Sequence, residues 1–250
     1  MALLRGAKPT SPERIAAATP FVPKPRKLDL PLQFIRIPEG PLSFWGNDVF
    51  GDCVTAEEFF AKACDGADMG YHKAVTWARN HWQLNGAGIW EVLTLMQTSG
   101  IYDGNSLYLD GPFKYVDFTD ADVLKSAIVE GTVKLGVAGD QLEGVPNIGN
   151  ANGWIATNFT EDTDLDHCTS LCGYGPMAWL AGELGGMVPA GVSGSTAGYA
   201  MFTWSSIGII DVPSMLAITG EAWLRSPTTI TKPNPVPAAK TTTTKTSRRP

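Results

Sequence analysis

Long apolar segments are missing from this sequence of 250 residues. No run approaches the length of about 18 residues that a membrane-crossing helix needs. Residues 1–21 mix charges with prolines where a signal peptide has a continuous apolar stretch. We therefore expect a soluble, cytoplasmic chain without a signal peptide and without a membrane partner.

Cysteine and nucleotide-binding glycine motifs are also scarce or absent. Four cysteines are too few for a disulfide scaffold in a chain of this length, which favours free thiols in a reducing compartment. A zinc site is not expected, because Cys168 and Cys172 would lie about 13 Å apart on one strand and Cys53 and Cys64 about three turns apart on one helix. The glycine clusters match neither a P-loop nor a dinucleotide fingerprint. We therefore expect no metal and no cofactor.

Acidic residues are absent from residues 227–250, and the charge is segregated along the chain. Residues 1–36 carry seven Lys or Arg against two acidic residues, and residues 227–250 carry five, so the ends sum to +10 and the remainder to −16. Basic ends can dock on the acidic body, on neighbouring copies or on a polyanion, or remain solvated. We expect a homo-oligomer or larger assembly through these ends. The acidic core argues against nucleic-acid binding.

Composition divides the chain into three parts. Residues 1–44 form a predicted extended, basic, Pro-rich arm, and residues 227–250 a Pro/Thr-rich basic tail. Within the arm, Ser11 and Pro12 predict the start of a short helix. Residues 45–226 are predicted to form one domain.

The domain shows helical periodicity first and strand patterns later. Helices are predicted over 53–65, 72–84, 89–99 and 119–130, the last capped by Thr119. Strands are predicted over 132–139, 167–174, 199–206 and 221–226. This order predicts an α+β fold, with N-terminal helices packed on one side of a C-terminal antiparallel sheet. Three tryptophans at apolar helical positions are expected in the core: Trp77, Trp82 and Trp90.

Cys53 stands where the turn "WGNDVFGD" meets the predicted helix over 53–65. A thiol at a helix N-terminus has its thiolate stabilised by the helix dipole, although a lone cysteine is more often a buried structural residue. The chain has three histidines. His72 and His81 lie in an aromatic-rich helical stretch, whereas His167 opens an apolar strand and is the candidate base.

Two stretches resemble papain-like cysteine proteases. "LDHCTSLCGYG" at 165–175 resembles the histidine strand of that family, and "NDVFGDC" resembles the segment that ends in its nucleophile. "GNDVFGDCVTAEEFFAKA", with the later "TSGI", is similar to uncharacterised bacterial and phage proteins that carry a papain-like domain. The resemblance implies a papain-like fold, with Cys53 as nucleophile and His167 as base. It also implies that the Asn47 amide and the Cys53 backbone N–H stabilise the oxyanion.

The sequence departs from this family where the histidine is supported. The orienting Asn of the family falls at Phe202 or Trp204, and neither side chain can accept the imidazole N–H. Asp164 or Asp166 would have to substitute. Asp52, directly before the cysteine, adds a negative charge that raises the pKa of the neighbouring thiol.

These features leave two hypotheses. The first is a papain-like thiol hydrolase that acts on a peptide or amide bond, with Cys53, His167 and Asn47 as its catalytic residues. The alternative is a catalytically inactive papain-like scaffold, a structural or assembly protein such as a phage virion component, that acts through its basic arms. A cytoplasmic location fits the first hypothesis, and association with a virion fits the second.

Overall fold

Helices dominate the first half of the chain and strands the second half. The computed structural model describes residues 3–23, 30–104, 106–226 and 229–231. Its helices are α1 (Pro12–Ala17), α2 (Cys53–Cys64), α3 (Gly70–Asn80), α4 (Ile89–Thr98), α5 (Ala121–Glu130), α6 (Asp140–Glu143), α7 (Met177–Glu183) and α8 (Val212–Ile218). None of these helices, within the described ranges, has the length and apolar character needed to cross a membrane.

The strands form one large sheet and two small ones. They are β1 (Ala7–Lys8), β2 (Phe34–Ile35), β3 (Ala87–Gly88), β4 (Ile101–Asp103), β5 (Ser106–Leu109), β6 (Phe113–Tyr115), β7 (Val133–Val137), β8 (Ile155–Ala156), β9 (His167–Pro176), β10 (Ala197–Thr203), β11 (Ser206–Asp211), β12 (Thr219–Arg225) and β13 (Thr229–Thr231). The large sheet has the order β6-β12-β7-β9-β10-β11-β8, and β2 also pairs with β9. All its pairs are antiparallel except β11–β8.

The large sheet buries a core on each face. Along β10, Ala200 and Phe202 belong to the core that includes α2, α3 and α4, whereas Tyr199 and Met201 belong to the core that includes α5 and α8. This alternation follows from the two-residue period of a strand. The predicted α+β class is confirmed. The structure differs from the prediction in two details, because α5 and α8 pack on the face opposite to α2, α3 and α4, and because the pair β11–β8 makes the sheet mixed.

Two helix caps were predicted, and the structure agrees with one of them. Ser11 caps α1 by accepting a hydrogen bond of 3.4 Å from the Arg14 N–H, with proline at the start of the helix. The cap of α5 is Asp120 and not Thr119, because the Asp120 carboxylate accepts the N–H groups of the first helical turn. The Thr119 hydroxyl instead donates to Asp117 at 2.7 Å.

The core assignment of the three tryptophans was wrong for one of them. Trp77 is buried and Trp90 packs against the same core, but Trp82 is 90% exposed. Trp82 follows the end of α3 with a φ of 61°, so it has left the helical periodicity on which the prediction relied.

Six charged side chains are buried where α2 lies on the sheet. They are Glu57, Glu58 and Lys62 of α2, Asp110, Lys134 of β7 and Arg225 of β12. Lys134 Nζ lies 2.6 Å from Glu57 and 2.8 Å from Glu58, and Arg225 lies 2.7 Å from Glu57. Burial opposes ionisation of Glu58, but the cations around it lower its pKa. Three acids and three bases leave this cluster, which we call the α2 charge cluster, electrically balanced.

Candidate active site

The thiol of Cys53 lies at the first position of α2, in a groove between that helix and β9. The residue is 2% exposed, and its sulfur lies beside the backbone of Cys168 and of Gly6. Burial raises the pKa of Cys53 to about 12, and the neighbouring Asp52 adds to this rise. In the described state the sulfur is therefore a protonated thiol.

The imidazole of His167 is fully buried at the start of β9. Its Nε2 lies 2.7 Å from Thr203 Oγ1, and its ring stacks on Trp204 with a centroid separation of 4.1 Å. Its Nδ1 has no hydrogen-bond partner among the described residues. Burial lowers the pKa of His167 to about 3, and the nearby Arg5 guanidinium lowers it further, so the ring is neutral.

Thr203 is the partner of His167 that the sequence analysis missed. Phe202 stacks on Phe60 in the core, with ring centroids 4.0 Å apart. Asp166 is engaged elsewhere, because its carboxylate accepts the Gly139 N–H at 3.0 Å. The expectation that an aspartate would support the imidazole is corrected by the 2.7 Å contact to the Thr203 hydroxyl.

The β10–β11 turn explains why Thr203 and Trp204 act together on the ring. Trp204 and Ser205 are the two turn residues, with φ values of 42° and 63°, and Thr203 pairs with Ser206 across the hairpin. Two positive φ values in a two-residue hairpin match the twist of the flanking strands. In the sequence, the threonine directly before the tryptophan in "FTW" was the signal that could have indicated this partner of His167.

The side-chain amide of Asn47 points at a peptide carbonyl. Asn47 Nδ2 donates to the carbonyl oxygens of Leu4 and Phe50, each at 3.0 Å. Trp204 Nε1 donates to the same Leu4 oxygen at 2.9 Å. Two N–H donors therefore converge on one carbonyl oxygen in the groove.

The groove over Cys53 is occupied by residues 3–8 of the same chain, which we call the Leu3–Lys8 segment. The N–H groups of Gly6 and Ala7 donate to the Asp166 carbonyl at 3.0 and 2.9 Å. The Ala87 N–H donates to the Gly6 carbonyl at 2.8 Å, and β1 runs parallel to β3. Arg5 forms ion pairs with carboxylates on the groove wall.

Solved structures with a similar fold include cysteine proteases. Xylellain, a cysteine protease from Xylella fastidiosa, matches with a TM-score of 0.59 and 11% identity, over 89% of this chain and 95% of that chain. The proform of the ragweed pollen protease Amb a 11 matches at 0.55 and 12%, over 90% and 69% of the two chains. The Carica candamarcensis protease CMS1MS2, in complex with E-64, matches at 0.54 and 14%, over 79% and 99%.

The chain has a papain-like fold. No protein-family model and no curated protein matches the sequence. Of the residues that the sequence resemblance singled out, Asn47 donates to the Leu4 carbonyl and Cys53 lies beside Gly6. His167 contacts Thr203 and Trp204, and Trp204 donates to the same Leu4 carbonyl.

Asp52 raises the pKa of Cys53 as expected, but its own burial was not predicted. Its side chain is completely buried, and neither carboxylate oxygen has a hydrogen-bond partner in the described parts of the chain. Burial raises the pKa of Asp52 to about 8, with a further contribution from Asp48. At neutral pH the group therefore holds its proton, so the negative charge expected beside Cys53 forms only in alkaline solution.

Proposed function

We propose that this protein is a papain-like thiol hydrolase that cleaves a peptide or amide bond. The observation that carries the proposal is the Leu4 carbonyl oxygen held by the Asn47 and Trp204 N–H groups in the groove over Cys53. The groove thus binds an extended peptide and presents fixed N–H donors to its carbonyl groups. Donors that are positioned before the reaction stabilise the negative charge that develops on a carbonyl oxygen under attack.

The residues around the groove suit the steps of acyl transfer. Cys53 Sγ would attack the carbonyl carbon, while His167 accepts the thiol proton. The carbon–nitrogen bond then breaks, the leaving amine takes the proton from His167, and a thioester remains on Cys53. Water activated by His167 attacks the thioester, which releases the acid and restores the thiol. Thr203 acts as a positioning residue by holding Nε2 of the imidazole.

The described state is closed, and the groove must open before this chemistry. Burial beneath the Leu3–Lys8 segment favours the neutral thiol and the neutral imidazole. Entry of water removes this desolvation, so the pKa of Cys53 falls and that of His167 rises. A thiolate facing an imidazolium then becomes accessible near neutral pH.

Alkylation and hydrolysis measured together test the proposal. The intact chain and an Arg5→Ala chain, whose segment over the thiol is weakened, are treated with iodoacetamide across pH 5–10 and with a pool of fluorogenic peptide amides. In the Arg5→Ala chain, we expect iodoacetamide to alkylate Cys53 at a pH below the pKa of an ordinary thiol, which is about 8.5. We expect hydrolysis that Cys53→Ala abolishes and that Asn47→Ala lowers by roughly 100-fold or more.

Cys64 provides the matched control, because it is a half-buried free thiol at the other end of α2. The Cys64→Ala chain should hydrolyse peptides at the unchanged rate. The hydrolase would be rejected by two results together: no pH-dependent enhancement of Cys53 alkylation in the Arg5→Ala chain, and no hydrolysis of the peptides.

The burial of the thiol also favours a second candidate function, an inactive papain-like scaffold. A cysteine and a histidine that are buried under a covering segment can be retained as packing residues of the fold after catalysis is lost. For this candidate the Arg5→Ala chain would bind peptides without cleaving them. Assembly through the terminal arms stays a prediction, and light scattering that gave a monomer for the intact chain would reject it.

A further inference from the structure

The Leu3–Lys8 segment contacts the groove as a bound peptide does. Its backbone exchanges hydrogen bonds with Asp166, Ala87 and the Asn47 side chain, all at 2.8–3.0 Å. Leu3 reaches the wall formed by Gly149 and Trp204. Main-chain bonding of this kind gives affinity to any extended peptide, and the side chains then decide which peptide is preferred.

Arg5 provides the first preference, because three carboxylates of the groove wall surround its guanidinium group. Arg5 Nε lies 2.9 Å from Glu143, and one terminal nitrogen lies 2.6 Å from Asp166 and also contacts Asp140. Asp140 and Glu143 are the two ends of α6, and Asp166 precedes His167. A planar guanidinium with five donors suits several carboxylates at once, which a lysine ammonium does less well.

Gly6 provides the second preference, because the groove has no room for a side chain at this position. A Cβ at position 6 would overlap the Gly51 carbonyl oxygen and lie 3.0 Å from Gly86 Cα. Both obstacles are backbone atoms, which cannot move aside as a flexible side chain would. Any residue other than glycine must lift the segment away from Cys53.

We propose that the groove over Cys53 recognises an extended peptide in which arginine is followed directly by glycine, and that the Leu3–Lys8 segment is a resident copy of this ligand. The claim that such peptides are preferred substrates rests on the proposed function. The claim that the groove prefers to bind them rests only on the contacts of Arg5 and Gly6.

The Leu4 and Gly6 carbonyls of the segment are held by different partners. The Gly6 carbonyl is bound by the Ala87 N–H at 2.8 Å, away from the Asn47 donor. Gly6 lies beside the Cys53 thiol, and its N–H donates to the Asp166 carbonyl. The segment therefore covers the nucleophile, and it acts as a competitor of peptides from solution.

Alkylation of Cys53 in full-length variants tests the resident ligand. Mass spectrometry follows iodoacetamide labelling in the original chain and in Arg5→Ala, Gly6→Ala and Lys8→Ala chains. Lys8 is the matched control, because it belongs to the same segment and its side chain is exposed. We expect Arg5→Ala and Gly6→Ala to label roughly tenfold faster, the effect of about 1.4 kcal/mol, and Lys8→Ala to label at the original rate.

A measurement on the unmutated chain guards against variants that fold poorly. Salt at 1 M shortens the Debye length to about 3 Å, so it should weaken the Arg5 ion pairs and speed labelling of the original chain. The same salt should have little effect on the Arg5→Ala chain. Equal labelling of the original, Arg5→Ala and Gly6→Ala chains at low salt would overturn the proposal.

The peptide preference is tested by adding free peptides to the Gly6→Ala chain, in which the substitution is expected to lift the Leu3–Lys8 segment out of the groove. The acetylated peptide ALLRGAK should slow labelling of Cys53, whereas ALLEGAK and ALLRAAK should not. Protection by ALLRGAK should also be lost in a Gly6→Ala chain that carries Asp140→Asn and Glu143→Gln. Equal protection by the three peptides would overturn the preference. Selective protection by ALLRGAK without hydrolysis of any peptide would reject the hydrolase and keep the binding preference.

Discussion

The orientation of the His167 imidazole depends on Thr203 and Trp204 at the β10–β11 turn. The Thr203 hydroxyl lies 2.7 Å from Nε2, and the Trp204 indole covers the ring face at a centroid distance of 4.1 Å. A buried imidazole that loses its partner pays the full cost of desolvation at that nitrogen. The hydroxyl therefore fixes the ring position and leaves the second nitrogen for proton transfer.

Replacing Thr203 by valine keeps the shape of the side chain and removes the hydroxyl. We expect the free energy of unfolding, measured by urea denaturation, to fall by about 1–3 kcal/mol. In the Arg5→Ala chain, the same change should shift the pH profile of Cys53 alkylation to higher pH. Thr203→Ser should restore both properties, and a serine variant that behaves like the valine variant would show that the hydroxyl has no positioning role.

At the scale of elements, α2 carries the nucleophile and is held to the sheet by the α2 charge cluster. Lys134 of β7 contacts both glutamates of the helix and also donates to the Val54 carbonyl at 2.9 Å, one residue after Cys53. Buried ion pairs add little net stability compared with apolar residues, but removing one partner leaves an uncompensated charge. The cluster therefore fixes where the helix begins relative to β9.

The variant Lys134→Met tests this attachment. It leaves Glu57 and Glu58 short of one cation, and we expect a loss of about 3–5 kcal/mol in the free energy of unfolding. Lys114→Met is the control, because Lys114 lies on the edge strand β6 and is only half-buried. Adding Glu58→Gln to Lys134→Met should recover part of the loss. A loss no larger than that of Lys114→Met would contradict the role of the cluster.

At the scale of the whole molecule, the buried carboxyl of Asp52 makes folding depend on pH. Its pKa of about 8 in the folded chain is far above the ordinary value of 3.8. Between these values the unfolded chain has released the proton while the folded chain retains it. The contribution of Asp52 to stability is therefore complete below about pH 4 and is lost as the pH rises to about 8.

Asp52→Asn should remove this contribution to the pH dependence. The original chain should lose up to about 1.4 kcal/mol of unfolding free energy per pH unit across the window from pH 4 to 8. The asparagine variant should show a flatter profile in urea denaturation over the same range. Asp164→Asn, at an exposed position, removes the same charge and should follow the original profile. Parallel profiles for the Asp52→Asn and original chains would refute the assignment.

The sequence was most informative where local patterns decide the structure. The helices and strands that border the groove follow hydrophobic periodicity, and Cys53 at the start of α2 and His167 at the start of β9 lie at the predicted ends of these elements. Thr203 was missed because its role depends on how the β10–β11 turn lowers Trp204 onto the imidazole. The raised pKa of Asp52 itself was not predicted, because it depends on burial, which no local pattern reveals. The docking of the Leu3–Lys8 segment is a long-range contact without periodicity.

The attachment of the Leu3–Lys8 segment has a consequence for competition. The segment joins the body directly at Thr10, whose N–H donates to the buried Glu221 carboxylate at 2.8 Å. A ligand tethered this closely has an effective concentration in the millimolar range at its own site. A free peptide of equal intrinsic affinity must therefore reach millimolar concentration to displace half of it. Cleavage of the chain between the Leu3–Lys8 segment and Thr10 would lower the peptide concentration needed for displacement, and it would leave every contact in the groove unchanged.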